Sequence, residues 1–395
     1  MSPSASVWVI PKPQDMRPLA GLRVLEIGQY IAAPAAAQRL ADMGADVIKI
    51  EPETGDASRR LGWSKDDFGP MFSAYNRNKR SVALNLRDAG DQRLASALAA
   101  DADVLLHNAR PGVMERLGLG AQALMAAHPR LIYGAVSGFA LDGTMAQRPG
   151  LDIAAQAESG MMSLNGDAHA DPTRVGYAVV DVMASHALAT GVLAALVRRG
   201  VRGHGALVEV SLIDAAADAL IYPWAEYGLS EKIPTRCGNG QPHLAPAADV
   251  IATADGMVVV SAYIPEHFER LCNCLGCPEL LLDDRFQDNP SRVRHRAALR
   301  EVLERALSSW TTREACQRLG NAGIVCGAVN TLADVIAGRG GTAADSFVSV
   351  SLPSGPALQL PATACVVDRK TRQGGRLPAL GEHTAAIRTL LQSVD

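Results

Sequence analysis

The first 140 residues alternate short apolar runs with helical stretches rich in small residues, and that rhythm restricts the fold more than any other feature of the chain. "LRVLEIG", Leu22 to Gly28, reads as a strand, "PAAAQRLADMG" as a helix that stops at Gly44, and "ADVIKIE" as a second strand ending on Glu51. Strand, helix and strand within about thirty residues make a parallel crossover unit. The pattern then repeats. "SVALNL" is a strand, "AGDQRLASALAA" a helix, "ADVLLHN" a strand, and "ALMAAHPRLIYGAVSGF" a helix leading into another strand. The expected fold is a doubly wound α/β domain, whose ligands sit beyond the carboxyl ends of its strands.

The texture changes after a long alanine-rich helix that follows Asp181 and the strand "ALVEVSL". A hairpin is expected around Ala254-Asp255-Gly256, helices from Pro265 to about Gly320, and strand-like character in "GIVCGAVNTLADV" and in the tail "SVSLPSGPALQLPATACV". The organisation read from this is a large α/β domain over 1–225, a small α+β domain over 226–330, and a C-terminal segment, 331–395, free to rejoin the first.

Electrostatics narrow the function. A net charge of −3 offers no attraction for nucleic acid or an acidic membrane. No charge-free apolar run approaches the length of a bilayer crossing, and the apolar piece Val7 to Ile10 is too short for the core of a signal peptide. A cytoplasmic enzyme or binding protein is the expectation. The seven cysteines do not form a disulfide pattern. Cys272, Cys274 and Cys277 have only His267 nearby as a fourth ligand, so they read as small fillers on an amphipathic helix ending at Gly276, and no metal is expected.

Several motifs invite chemistry. Glu51 closes the first crossover unit where a ribose-binding acid would stand, yet "QYIAAPAAAQ" after Gly28 lacks the glycines that admit a pyrophosphate, and Pro34 is an ordinary first-turn residue. No G-x-S-x-G elbow occurs, and Asp181, Ser185 and His186 on one helix cannot face each other as a relay. Arg77, Lys79, Arg80, Arg110 and Arg116 fall near expected loops, where they would bind a phosphorylated ligand or form a solvated face. In "RCGNGQPH", Gly238 and Gly240 let backbone amides approach an anion, or merely make a turn. Asp181 stands at the mouth of an apolar helix, where it would cap the helix, act as an ionised nucleophile, or do both.

The combination of "LAGLRVLEIGQYIAAPAAAQRLADMGADVIKIEPETGD", "NRNKRSVALNLR", "HNARPGVMERLGLG", "LIYGAVSGFALDG", "DIAAQAESGMMSLNG", "VLAALVRRGVRGHGALVEVSLIDA" and "LGEHT" resembles the class III coenzyme A transferases. That family includes formyl-CoA and carnitine-CoA transferases and α-methylacyl-CoA racemase. The resemblance implies a Rossmann-like large domain, a small α+β domain, and two chains threaded through each other as an interlocked-ring homodimer. It implies transfer of CoA from an acyl-CoA to a free carboxylic acid, with CoA as substrate and no tightly bound cofactor. Asp181 falls on the family's nucleophile, which would form an aspartyl-CoA intermediate. CoA contacts fall on Leu84 to Arg87, on Asn108, Ala109 and Arg110, and on Arg116 and Leu117. The loop Gly238-Asn239-Gly240 matches the glycine loop over the intermediates, with Asn239 in place of a glycine; it is the expected oxyanion donor. Two positions depart from the pattern. Leu151 replaces the proton-carrying histidine of the racemases and the tyrosine of formyl-CoA transferases, and near Ile31 the latter have a glutamine. A racemase and a non-catalytic CoA-binding protein are the alternative readings.

Overall fold

Val24 and Leu25 of the first strand are both fully buried although they point to opposite faces of the sheet, as a strand covered on both sides requires. In the computed structural model, which describes residues 7–9, 15–140, 144–240, 247–343, 345–368, 372 and 374–392, this strand is the centre of a six-stranded parallel sheet. Its strands are β1 (Arg23–Ile27), β2 (Asp46–Glu51), β3 (Lys79–Ala83), β4 (Val104–His107), β5 (Ile132–Ser137) and β6 (Ala206–Ser211). They lie in the order β3-β2-β1-β4-β5-β6, with Leu25 in register with Ile48 on one side and Leu105 on the other. The order reverses between β1 and β4, so a crevice opens beyond their carboxyl ends. The expected crossover helices are present as α1 (Ala32–Asp42), α3 (Ala89–Asp101) and α5 (Ala121–Ala127), and two short helices that the sequence reading did not place, α2 (Pro70–Tyr75) and α4 (Val113–Arg116), join them.

Beyond β5 come α6 (Asp152–Glu158), α7 (Met161–Leu164), the 24-residue α8 (Val179–Arg202), α9 (Leu212–Ala219) and α10 (Ile221–Ser230). One face of the sheet, through Val24, Val47, Leu106 and Ile132, packs on the alanines of α1 and on Val180, Ala184, Leu188 and Val192 of α8. The other face, through Leu25, Ile48 and Leu105, packs on Leu94 and Leu98 of α3. Small residues let the helices sit close. A Cβ at Gly191 of α8 would lie 2.6 Å from Val208 Cγ1 of β6. By length and composition α8 is apolar enough to cross a bilayer when a charged residue is allowed within the span, where the sequence reading had asked for a charge-free run. Its buried stripe is spent on the sheet and α1, which identifies it as a core helix of this unit.

The structure divides the chain into two units: 1–161 with 175–228 and 343–395, and 162–174 with 229–342. The segment 162–174, assigned to the large domain by its sequence, therefore groups with the second unit. That unit contains the antiparallel β7 (Asp249–Ala252), β8 (Met257–Ser261) and β9 (Val325–Ala328), with the expected hairpin between the first two. It also holds α11 (Pro265–Leu275), α12 (Asn289–Arg294), α13 (Arg296–Leu307), α14 (Thr312–Asn321) and α15 (Leu332–Ile336). The last of these was read as strand; a capping box between Thr331 and Asp334 starts it as a helix. The tail of the first unit forms β10 (Phe347–Ser351), β11 (Leu358–Pro361) and β12 (Gly375–Arg376), then α16 (Thr384–Gln392), whose Ile387 joins the core beside α3.

Candidate active site

Asp181 occupies the first turn of α8, but it does not cap that helix. Asp152 of α6 does so from outside. Its Oδ2 accepts the backbone N–H groups of Val180 at 2.7 Å and Asp181 at 3.3 Å, and its Oδ1 accepts Gln156 Nε2 at 2.5 Å. The fully buried Gln156 in turn accepts Val175 N–H at 2.8 Å, which ties down the segment leading into α8. The Asp181 carboxylate, half-buried, accepts no hydrogen bond and pairs with no cation among the described residues. Burial first, and the Asp152 charge second, push its pKa up from 3.8 to about 7. This corrects the expectation of a cap and of a group held firmly ionised by the helix terminus. Desolvation and a like charge outweigh the helix end.

Around it, Tyr75 at the end of α2 is held protonated by burial and by the Asp181 charge. Arg39 of α1 does not reach the carboxylate. Its Nε donates to His186 Nδ1 at 3.2 Å and its Nη1 to the Ala35 carbonyl at 2.8 Å. Ser185 is buried and donates to the Val182 carbonyl at 2.6 Å, so it belongs to the helix and to no relay.

At the reversal point of the sheet, a cleft of about 610 Å³ is lined by Leu84, Arg87, Asn108, Ala109 and Leu117 together with the turn Gly28-Gln29-Tyr30. Pockets of this size accommodate a small ligand. The Asn108 side chain grips the turn from both sides, accepting Gln29 N–H at 2.9 Å and donating to the Gln29 carbonyl at 2.7 Å. Lys49 Nζ donates to the Gly28 carbonyl at 2.6 Å, and Asp56 Oδ1 accepts Tyr30 N–H at 3.3 Å. These bonds hold Tyr30 at φ +64°, a left-handed conformation rare for a bulky residue and invisible to sequence reasoning. Arg110 and Arg116 are exposed beside this cleft and do not line it.

Other candidate residues weighed from the sequence prove structural. Arg77 pairs with Asp42, Arg80 with Asp46, and Lys79 with Glu26 at 2.6 Å, so the cations of "NRNKRS" face the protein and not a phosphate. Burial outweighs the Glu26 charge and lowers Lys79 to about 8. Lys49, equally buried, is instead held charged by Glu26, Asp56 and Glu51. Glu51 is no ribose ligand, because its carboxylate takes Arg59 through two 2.7 Å bonds and Ser81 Oγ at 2.6 Å. Cys272 and Cys274 lie in α11, which ends as expected at Gly276 in a left-handed conformation, and Cys277 follows it; Cys272 packs in the core with its thiol raised to about 11 by burial. Among the described residues no three His, Cys, Asp or Glu side chains gather as metal ligands.

The glycine loop belongs to the second unit. Gly238 adopts φ +65° and donates to the Gly166 carbonyl at 3.1 Å, while Gly240 N–H donates to the Cys237 carbonyl at 3.4 Å. Two of the three amides expected to bind an oxyanion are thus engaged within the unit. Asn239 is exposed. Gly240 lies against the Arg296 guanidinium, which pairs with Asp249, and a Cβ there would collide with it. The rest of the loop, 241–246, lies outside the described residues.

The model of CoA-transferase family III matches residues 19–384. A succinate–glutarate CoA-transferase of Agrobacterium fabrum is 30% identical over 97% of this chain and 98% of its own. An acetyl-CoA:oxalate CoA-transferase of Acetobacter aceti is 36% identical over 80% of this chain and 82% of its own. Among solved structures, a CAIB/BAIF family protein from Brucella suis superposes with a TM-score of 0.81 at 32% identity, covering 96% of this chain and 99% of that one. The chain belongs to CoA-transferase family III. It is an enzyme that moves CoA between an acyl-CoA thioester and a carboxylic acid.

Proposed function

We propose that CoA transfer runs through covalent catalysis at Asp181. The observation that carries this reading is a half-buried carboxylate that has neither a cation nor a hydrogen-bond donor among the described residues, on a helix end that another residue already caps. Such a group has no structural task and costs stability. Its ionised form attacks the thioester carbonyl of the donor, giving a mixed anhydride and releasing CoA thiolate. The thiolate then attacks the aspartyl carbonyl, giving an Asp181–CoA thioester and the free donor acid. The acceptor carboxylate attacks that thioester, and the thiolate finally takes the acyl group from the second anhydride, which regenerates Asp181. Atoms and charge balance without a cofactor.

The Rossmann-like use of the sheet follows from the cleft at its reversal point, where Leu84, Arg87, Asn108, Ala109 and Leu117 meet. We assign CoA to it, with Arg110 and Arg116 at its edge for the phosphates. In the loop Gly238-Asn239-Gly240, the Asn239 amide is the one left to serve as an oxyanion donor, since its neighbours donate elsewhere. Leu151 carries no proton, which favours transfer over racemisation. An interlocked homodimer gives α10 a partner surface. That helix buries none of its residues in one chain, and Ile221, Trp224 and Leu229 are 68%, 58% and 90% exposed. We place the enzyme in the cytoplasm.

The test is transfer from succinyl-CoA or acetyl-CoA to a panel of carboxylic acids, dicarboxylic acids first because the relatives' names specify them. New acyl-CoA masses should form with wild type, and Asp181→Asn should lose several orders of magnitude in rate while remaining folded. An active Asn variant defeats the reading.

A further inference from the structure

We propose that Asp152 is a positioning residue of the transfer reaction, whose fixed carboxylate keeps a second negative charge against Asp181 and thereby drives Asp181 toward its neutral, acylated states. This rests on Asp181 being the nucleophile.

The geometry leaves Asp152 no freedom. It is 7% exposed, one oxygen is held by the N–H groups of Val180 and Asp181, and the other is held by Gln156. The bonds that make it the cap of α8 also place its charge at the residue that reacts. A neutral side chain would cap as well. Asparagine and serine are as effective as aspartate at helix starts. The cap of α8 thus needs only one neutral oxygen, a neutral replacement gives up the Gln156 bond at the other oxygen, and what the negative charge adds beyond these bonds acts on Asp181.

Among the described residues, burial and Asp152 are the influences on Asp181, and the charged or titratable groups near it do not cancel that of Asp152. Tyr75 of α2 is neutral. Arg39 of α1 is committed to His186 and to the Ala35 carbonyl. His186, on α8 itself, is exposed and receives that guanidinium, and its own pKa is lowered by burial and by Arg39. Asp152 of α6 is the anion left facing the nucleophile, and with burial it accounts for a pKa of about 7.

The consequence is chemical. Ionised Asp181 carries a charge that both the mixed anhydride and the CoA thioester lack. Repulsion from Asp152 raises the energy of the free carboxylate and leaves the covalent states nearly untouched. Protonation and acylation both neutralise the same carboxylate. The charge of Asp152 should therefore favour both to a similar extent.

Two measurements on full-length enzyme test this. Asp152→Asn, with Asp152→Ser as a second neutral cap, is compared with wild type for the pH dependence of kcat/KM. The same proteins are incubated with acetyl-CoA at pH 8.5 and the fraction carrying the aspartyl–CoA thioester is read by intact mass. The acid limb should fall by about one pH unit, the scale on which one neighbouring charge moves a carboxylate. The thioester equilibrium should fall about tenfold, matching that displacement. Relative to its own plateau, the neutral variant should be several times more active than wild type at pH 6. If either folded variant keeps the wild-type acid limb and thioester fraction, Asp152 only caps the helix and the inference is overturned. Should neither variant fold, ¹³C NMR of carboxyl-labelled wild type decides it. An Asp181 signal, identified by its loss in Asp181→Asn, that titrates near 4 overturns the inference, as does an Asp152 carboxyl still protonated at the pH where Asp181 ionises, whereas an Asp152 carboxyl already ionised there supports it. Wild type that never forms the thioester would instead refute Asp181 as nucleophile, a separate failure.

Discussion

Replacing the reactive carboxylate should make this enzyme more stable. A carboxyl whose pKa rises from 3.8 in the unfolded chain to about 7 in the fold binds its proton more tightly when folded. Between those two pH values the unfolded state releases a proton that the native state keeps, so stability falls as pH rises through this window and levels off above about 7. At about 1.4 kcal/mol per pH unit the full displacement corresponds to about 4 kcal/mol. Solvent at a half-buried carboxyl reduces that to about 2 kcal/mol. Asp181→Asn is neutral at every pH and escapes this loss. Thermal midpoints of wild type and variant, measured from pH 4 to 8.5, should coincide near pH 4 and diverge until the variant melts about 2 °C higher above pH 7. A capping or ion-paired aspartate would behave in the opposite way, its replacement lowering the midpoint most at high pH. A difference independent of pH, or a variant less stable at pH 8.5, refutes this account of the Asp181 environment.

Other perturbations separate binding from folding. Asn108→Ala removes both bonds that clamp Gln29 beside the cleft, so KM for acyl-CoA should rise about tenfold in steady-state kinetics with a smaller change in kcat. Arg59→Met strands the buried Glu51 carboxylate and should cost about 3–5 kcal/mol, read as a much lower thermal midpoint or as insoluble protein. An interlocked dimer should sediment as a dimer at all concentrations down to nanomolar, and a monomer–dimer equilibrium at micromolar concentration would contradict it.

What the sequence made legible was whatever depends on neighbours along the chain. The spacing of Val24, Val47, Val104 and Ile132 between small-residue helices specified a covered parallel sheet, and the strands appear where that pattern placed them. A cleft beyond the carboxyl ends of the strands was legible in the same way, whereas Asn108 and Leu84, which line it, were singled out only by the resemblance to the family. Misreadings arose wherever a partner lay far away in the chain. Arg77, Lys79 and Arg80 resembled ligand-binding cations because Asp42, Glu26 and Asp46 reach them only across the folded sheet. Asp181 resembled a cap because its true counterpart, Asp152, approaches from another helix. The pair Asp152 and Gln156, four apart on α6, was the available signal for that buried network, and only its destination was hidden.

The most direct test of the account is to incubate wild-type enzyme with acyl-CoA alone, quench with borohydride or hydroxylamine, and sequence the modified peptide by mass spectrometry. Before quenching, the intact protein should gain the mass of CoA less water. After it, the modification should map to Asp181 within "VGYAVVDVMASHALATGVLAALVR", and Asp181→Asn should show neither. Full transfer activity with no trapped adduct in wild type, or an adduct on a different residue, would contradict the covalent role assigned to Asp181.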